Sequence, residues 1–110
     1  MAQQKLTNYL RTFRKRGRLS QDEIAFLLNC ASGSKVSRYE RFARVPSLQT
    51  AMAFEIIYGA PIRELFSGMF QNVENRVVLR ARLLARRISK VDADRLSAIK
   101  LSVLERLIPF

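Results

Sequence analysis

Two capped helices can be read directly in Leu19-Ser20-Gln21-Asp22-Glu23-Ile24-Ala25 and Ser32-Gly33-Ser34-Lys35-Val36-Ser37-Arg38-Tyr39-Glu40. Ser20 and Glu23 have the Ser-x-x-Glu spacing of a capping box, in which each side chain satisfies the other residue's free backbone N–H. The helix that follows carries Ile24, Ala25, Leu27 and Leu28 inward and closes near Asn29, a residue that tolerates the left-handed conformation. Cys30-Ala31-Ser32-Gly33 is short and built of small residues, as a tight turn between closely crossing helices requires. Ser32 caps the next helix, residues 33–42. Only Val36 and Tyr39 face inward there, whereas Ser34, Lys35, Ser37, Arg38 and Arg41 form a wide polar and cationic face.

Helical spacing extends on both sides of this pair. Leu6, Tyr9, Leu10 and Phe13 repeat at three and four residues and predict a helix over 3–16 that Gly17 stops. Downstream, Pro46 breaks the pattern and Ser47 is a good N-cap, so Leu48, Ala51, Phe54 and Tyr58 mark a fourth helix ended by Gly59. Pro61 suits the first turn of a short fifth helix that folds Ile62, Leu65 and Phe66 back onto the core. Composition shifts at residues 67–72. A long sixth helix then carries Val73, Val77, Leu84 and Ile88 inward, with Arg76, Arg80, Arg82, Arg86 and Arg87 on its other faces. Asp92 caps a seventh, with Leu96, Ile99, Val103 and Leu107 inward.

The chain has 110 residues, about half of them apolar, enough for one compact domain and an appendage. Its 20 Lys and Arg against 9 Asp and Glu leave a net charge of +11. Like charges repel in a compact state, so a polyanionic partner is the natural reason for such an excess. No apolar run approaches the ~20 residues that span a bilayer, and the N-terminus lacks the apolar stretch of a signal peptide, so a soluble cytoplasmic protein with no membrane partner is expected. Cys30 is the only cysteine and histidine is absent. An intramolecular disulfide, the usual zinc clusters and any His-based catalytic triad are therefore excluded, and no metal, cofactor or enzymatic activity is expected. The acidic pairs Asp22/Glu23 and Asp92/Asp94 sit where a helix N-terminus favours carboxylates, so they read as helix starts rather than catalytic groups.

Two short helices joined by a tight turn, the second poor in apolar residues and rich in donors, are what reading the major groove of DNA requires. Leu19 to Ala25, then Ser32-x-Ser34-x-Val36-Ser37-Arg38-Tyr39-Glu40, Pro46-Ser47-Leu48 and Leu65-Phe66 together resemble the Cro/repressor-like (XRE-type) helix-turn-helix domain over about residues 5–66. The resemblance implies an all-α fold: a five-helix lambda-repressor-like helix-turn-helix domain over residues 1–68, plus two C-terminal helices over 69–110. It implies phosphate contacts from Ser20 and Gln21, base reading from Gly33, Ser34, Lys35, Ser37 and Arg38, and further phosphate contacts from Arg41 and Arg44. Arg14, Lys15, Arg16 and Arg18 form a basic run that either stabilises a helix C-terminus or, chiefly through Arg16 and Arg18, grips the DNA backbone. Gln21 has an equally bland alternative as a helix-starting residue. Glu40 reads as structural, accepting hydrogen bonds or pairing with an arginine at the helix end.

The chain departs from the family at Asn29, which replaces a glycine in a turn one residue longer, and at Gly33, which brings no side chain to a reading position. Glu55 stands where the family has a small apolar residue, so it must reach solvent or find a basic partner. In the tail, Leu101, Leu104 and Ile108 lie off the inward stripe of the seventh helix, which points to a homodimer, since a palindromic site needs two recognition helices about one DNA turn apart. The arginines of the sixth helix read as a solvated face paired with Glu74 and Asp92, or as an extension of the DNA surface. Three functions fit: a bacterial or phage-encoded transcriptional regulator acting as a repressor on double-stranded DNA; a DNA-binding antitoxin whose residues 69–110 hold a protein partner; and an RNA-binding module, disfavoured because the aromatics fall at core spacing.

Overall fold

The computed structural model describes residues 7–91 and 95–108. Gln3 to Leu6, expected in the first helix, and Asp92 and Asp94, expected at the start of the last, lie outside the described residues. Among the described residues the structure is entirely helical: α1 Leu10–Arg16, α2 Gln21–Leu27, α3 Gly33–Glu40, α4 Leu48–Tyr58, α5 Ile62–Leu65, α6 Ser67–Val91 and α7 Arg95–Leu107. The chain divides into two compact units, Met1–Phe70 and Gln71–Phe110. No helix among the described residues is long and apolar enough to cross a membrane.

The core of the first unit is built by one or two residues from each of its helices. Leu10, Ile24, Val36, Phe54 and Leu65 are wholly buried and come from α1 to α5 in turn. Burying a side chain of this size contributes about 1.5–3 kcal/mol, so every helix is held by its own anchor. Tyr39 meets Phe54 edge to face at 5.9 Å, and Phe54 stacks on Tyr58 at 5.8 Å. Two inward assignments are corrected. Leu27 is 54% exposed, because Ile24, Ala25 and Leu28 set the core-facing arc of α2 and Leu27 lies about 110° round from it. Leu48 is 68% exposed for the same reason, about 90° from the arc set by Ala51, Phe54 and Tyr58.

The first helix starts later than its apolar spacing predicts. Asn8 is buried; its Oδ1 accepts from Leu10 N at 3.2 Å and its Nδ2 donates to the Tyr39 carbonyl at 3.0 Å. Tyr9 N donates to the Leu65 carbonyl at 2.7 Å. Residues 7–9 are thereby stitched to α3 and α5 and leave the helical path, an instance of an Asn side chain competing with helix. Gly17 does not stop α1 by its own freedom either. It is the right-handed C-cap, and Arg18 makes the left-handed turn at φ 58°.

Helices α1, α2 and α3 end in the same way. In each, the residue after the C-cap is left-handed and not glycine: Arg18, Asn29 and Phe42 at φ 58–59°. The N–H groups of Leu19, Cys30 and Ala43 return to the carbonyls of Arg14, Ala25 and Arg38 at 3.3, 2.8 and 2.8 Å. These bonds make three Schellman motifs, which satisfy carbonyls the helices would otherwise orphan. Glu55 resolves its misfit locally: it is exposed, and its Oε1 accepts the N–H of Ile62 at 2.9 Å, capping α5 where Pro61 offers no side-chain acceptor.

In the second unit the inward face of α7 is the reverse of the expected one. Leu104 is buried and Leu101 and Ile108 are half-buried, while Leu96, Ile99, Val103 and Leu107 are exposed. Both arcs of this helix are apolar, so spacing alone could not choose between them; Leu104, which lines one groove with the buried Ala81 of α6, marks the side turned inward. Leu101, Leu104 and Ile108 accordingly form no exposed stripe for self-association. Val73, Val77 and Leu84 of α6 also remain exposed, and Ile88 is half-buried.

Candidate nucleic-acid interface

The local chemistry of α2 and α3 fixes how they meet. Ser20 Oγ accepts from Glu23 N at 3.0 Å and Glu23 Oε1 accepts from Ser20 N at 2.8 Å, the complete capping box. Ser32, in extended conformation, accepts the N–H of Ser34 at 3.4 Å and starts α3. Gly33 N donates to Asp22 Oδ1 at 2.8 Å, so one acid of the Asp22/Glu23 pair ties α3 to α2 and the other caps α2. A Cβ at Gly33 would lie 2.7 Å from Asp22 Oδ1 and 2.9 Å from Gln21 Cβ. The absence of a side chain there lets the start of α3 press on the first turn of α2, and Gly33 is buried rather than presented outward.

One ionic cluster ties the pair to α1. Arg14 of α1 grips Glu40 of α3 with two hydrogen bonds, Nε to Oε2 at 2.6 Å and Nη2 to Oε1 at 3.1 Å, and its Nη1 donates to the Leu19 carbonyl at 3.1 Å. Gln21 Nε2 donates to Glu40 Oε1 at 3.1 Å. Glu40 is thus structural, and its partner comes from α1. The hydrogen bond to Glu40 raises the Arg14 pKa further, against the opposing effect of burial. Arg14 is therefore withdrawn from the basic run, while Lys15, Arg16 and Arg18 stay exposed, Arg16 lying over the Phe13 ring at 5.4 Å.

Beside this cluster the Tyr58 hydroxyl is buried with no hydrogen-bond partner among the described residues. Burial, reinforced by the Glu40 carboxylate, pushes its pKa well above the ordinary value. The folded chain keeps a proton that the unfolded chain releases near pH 10, so the contribution of Tyr58 to stability is fully present below that pH and is lost as pH rises beyond it. Tyr58→Phe keeps the rings stacked and removes the orphaned donor; urea unfolding should show a gain of about 1 kcal/mol. A loss of that size would mean that the hydroxyl has a partner.

On the outer side, a polar concavity of about 630 Å³ is lined by Ser20 and Gln21 from the start of α2 and by Ser34, Ser37, Arg38 and Arg41 from α3 and its C-cap. Ser34, Arg38 and Arg41 are exposed, Ser37 is half-buried, and Arg41 Nε donates to Ser37 Oγ at 3.3 Å. Lys35 is half-buried, and Lys35, Arg16, Arg18 and Arg44 do not line this concavity. Arg44 is exposed on the turn after α3, its N–H on the Arg38 carbonyl at 3.3 Å. A second concavity of about 600 Å³ shares Ser20, Gln21, Ser37 and Arg41, includes the paired Arg14 and Glu40, and adds Arg11 of α1. Sequence reasoning passed over Arg11. Its signal was its place three residues before Arg14, on the side of α1 away from Leu10, where a cation in the first turn gains nothing from the helix dipole.

A family model described as "Helix-turn-helix domain" matches residues 5–66. The chain belongs to this family. The helix-turn-helix is α2, the turn around the left-handed Asn29, and α3, and the match is consistent with the Cro/repressor-like (XRE-type) DNA-binding resemblance. No curated protein and no solved structure matches the chain. Within the helix-turn-helix, α3 is the second helix, and its polar side is the one left open beside the first turn of α2.

Proposed function

We propose that the protein is a sequence-specific reader of double-stranded DNA that regulates transcription as a repressor. The observation that carries this reading is the open polar side of α3, with Ser34, Ser37, Arg38 and Arg41 beside Ser20 and Gln21 in a chain of net charge +11. A major groove about 12 Å wide admits one helix. Ser34, Lys35, Ser37 and Arg38 are assigned to base edges. Ser20, Gln21, Arg16, Arg18, Arg41 and Arg44 are assigned to phosphates, with Arg11 added to that set. Gln21 can serve both structure and binding, since its amide already positions it against Glu40 at the rim.

Selection of bound sites from random duplexes tests the reading, and recovery of no preferred sequence would overturn it. Arg38→Ala should cost about 1–3 kcal/mol on the selected site and relax preference at one base pair, because guanidinium grips guanine O6 and N7 with two bonds. An equal loss on every sequence would reassign Arg38 to the phosphates. A promoter reporter carrying the selected site should fall silent when the protein is supplied.

A two-fold site would be read by two copies. Leu48, Met52 and Ile56 form a stripe at spacing four along α4, exposed by 68, 49 and 82%. Glu55 is the only charged residue of this helix. That stripe is a surface on which two strongly cationic molecules can meet without opposing arginines. Ile56→Glu should then convert a sedimenting dimer to monomer while leaving the fold intact, and an unchanged mass would remove α4 from the assignment.

A further inference from the structure

The unit of residues 71–110 leaves much of its apolar surface uncovered. Ala81 and Leu104 are its only buried residues among those described. A hairpin of two helices has one layer, and a layer needs another against which to bury its apolar side. The uncovered residues are not scattered. Exposed Val73, Val77 and Leu84 recur at helical spacing along three turns of α6, and with exposed Leu107 of α7 and the buried Ala81 and Leu104 beneath them they line a groove of about 400 Å³. Arg76 and Arg80, one turn apart on α6, are the charged residues of that lining. Neither has a salt-bridge partner among the described residues, where the one pair is Arg14–Glu40, and Glu74 is likewise without one.

We propose that this groove receives an acidic amphipathic helix of a partner protein. Its apolar residues, at spacings of three and four, would fill the floor between Val73 and Leu84, and carboxylates one turn apart would meet Arg76 and Arg80. The floor extends about 16 Å along α6, the length of three helical turns, which matches helix-in-groove recognition. Charge chooses the occupant. A second copy docked on this face would bring Arg76 and Arg80 near their own equivalents, and residues 71–110 carry nine Lys and Arg against four Asp and Glu. DNA would satisfy the guanidinium groups but leave the hydrocarbon floor wet. The inference stands independently of the DNA reading, which uses α2 and α3.

The test uses the full chain and a labelled synthetic helix of about 18 residues with leucines at i, i+4 and i+7 flanked by glutamates, against its isomer with lysines for the glutamates. Fluorescence anisotropy should show the glutamate peptide binding at least about tenfold more tightly than the lysine peptide. The R76E/R80E double variant should invert that preference, and Leu84→Asp should abolish binding of both peptides, with DNA binding retained in each. Should R76E/R80E melt early, R76Q/R80Q takes its place and should erase the preference. Indifference to peptide charge, or no binding of the glutamate peptide below about 100 μM, would overturn the proposal. So would a dimer split by Leu84→Asp, which would seat a second copy in the groove, or binding to vesicles of anionic phosphatidylglycerol in place of the peptide.

Discussion

Glu40→Ala is expected to destabilise the helix-turn-helix unit by about 3–5 kcal/mol, the usual cost of removing one member of a buried ion pair. The Glu40 side chain is 3% exposed and accepts from Arg14 twice and from Gln21 once. Truncation would strand a guanidinium that is itself only 13% exposed and release the first turn of α2 at the same time. Against a total stability of roughly 5–15 kcal/mol this is a large share, visible as a shift of the urea midpoint at unchanged slope. Arg14→Met combined with Glu40→Leu should be far milder, because the cost lies in the unpaired charge rather than in the loss of the pair. A single-variant loss under about 1 kcal/mol would place the pair effectively in solvent.

Affinity for duplex DNA should collapse with salt. Arg11, Arg16, Arg18, Arg41 and Arg44 give five cationic phosphate candidates per copy, so two copies imply a slope of about −9 in log K against log salt. Between 50 and 200 mM salt that amounts to a fall on the order of 10⁵-fold. Replacing one of these arginines by alanine should reduce the slope by about one per copy and weaken all sequences alike. A slope near zero, measured by titration at several salt concentrations, would refute phosphate neutralisation as the main source of affinity.

Much of this architecture could be read from the chain because its helix starts are written locally. Ser20 with Glu23, Ser32 and Ser47 each cap the helix they precede, and Asn29 closes α2 in the left-handed conformation. Those signals need only residues within one turn of each other. The failures share the opposite character. The first helix starts only after Asn8, which reaches Tyr39, 31 residues away, and Arg14 reaches Glu40 over 26. Both arcs of α7 are apolar, so its own spacing is ambiguous, and the inward side is marked only by Leu104, which shares a groove with Ala81 of another helix.

The candidate interface was partly legible for the same reason. Ser34, Ser37, Arg38 and Arg41 share one side of a helix whose inward residues, Val36 and Tyr39, are unmistakable. Arg11 was missed because it joins that side only through the crossing of α1 over α3. Gly33 looked like a vacant reading position, whereas its lack of a side chain governs how closely α3 approaches α2.

The left-handed residues at 18, 29 and 42 leave this module room to evolve heat tolerance. A side chain larger than asparagine held at such an angle costs about 1–2 kcal/mol that glycine would not. Phe42→Gly or Arg18→Gly would trade side-chain packing or charge for backbone ease, whereas glycine at 29 gives up little. A lineage moving to a hotter habitat could therefore relieve backbone strain at these turns one substitution at a time, wherever the side chain given up contributes less than the strain removed.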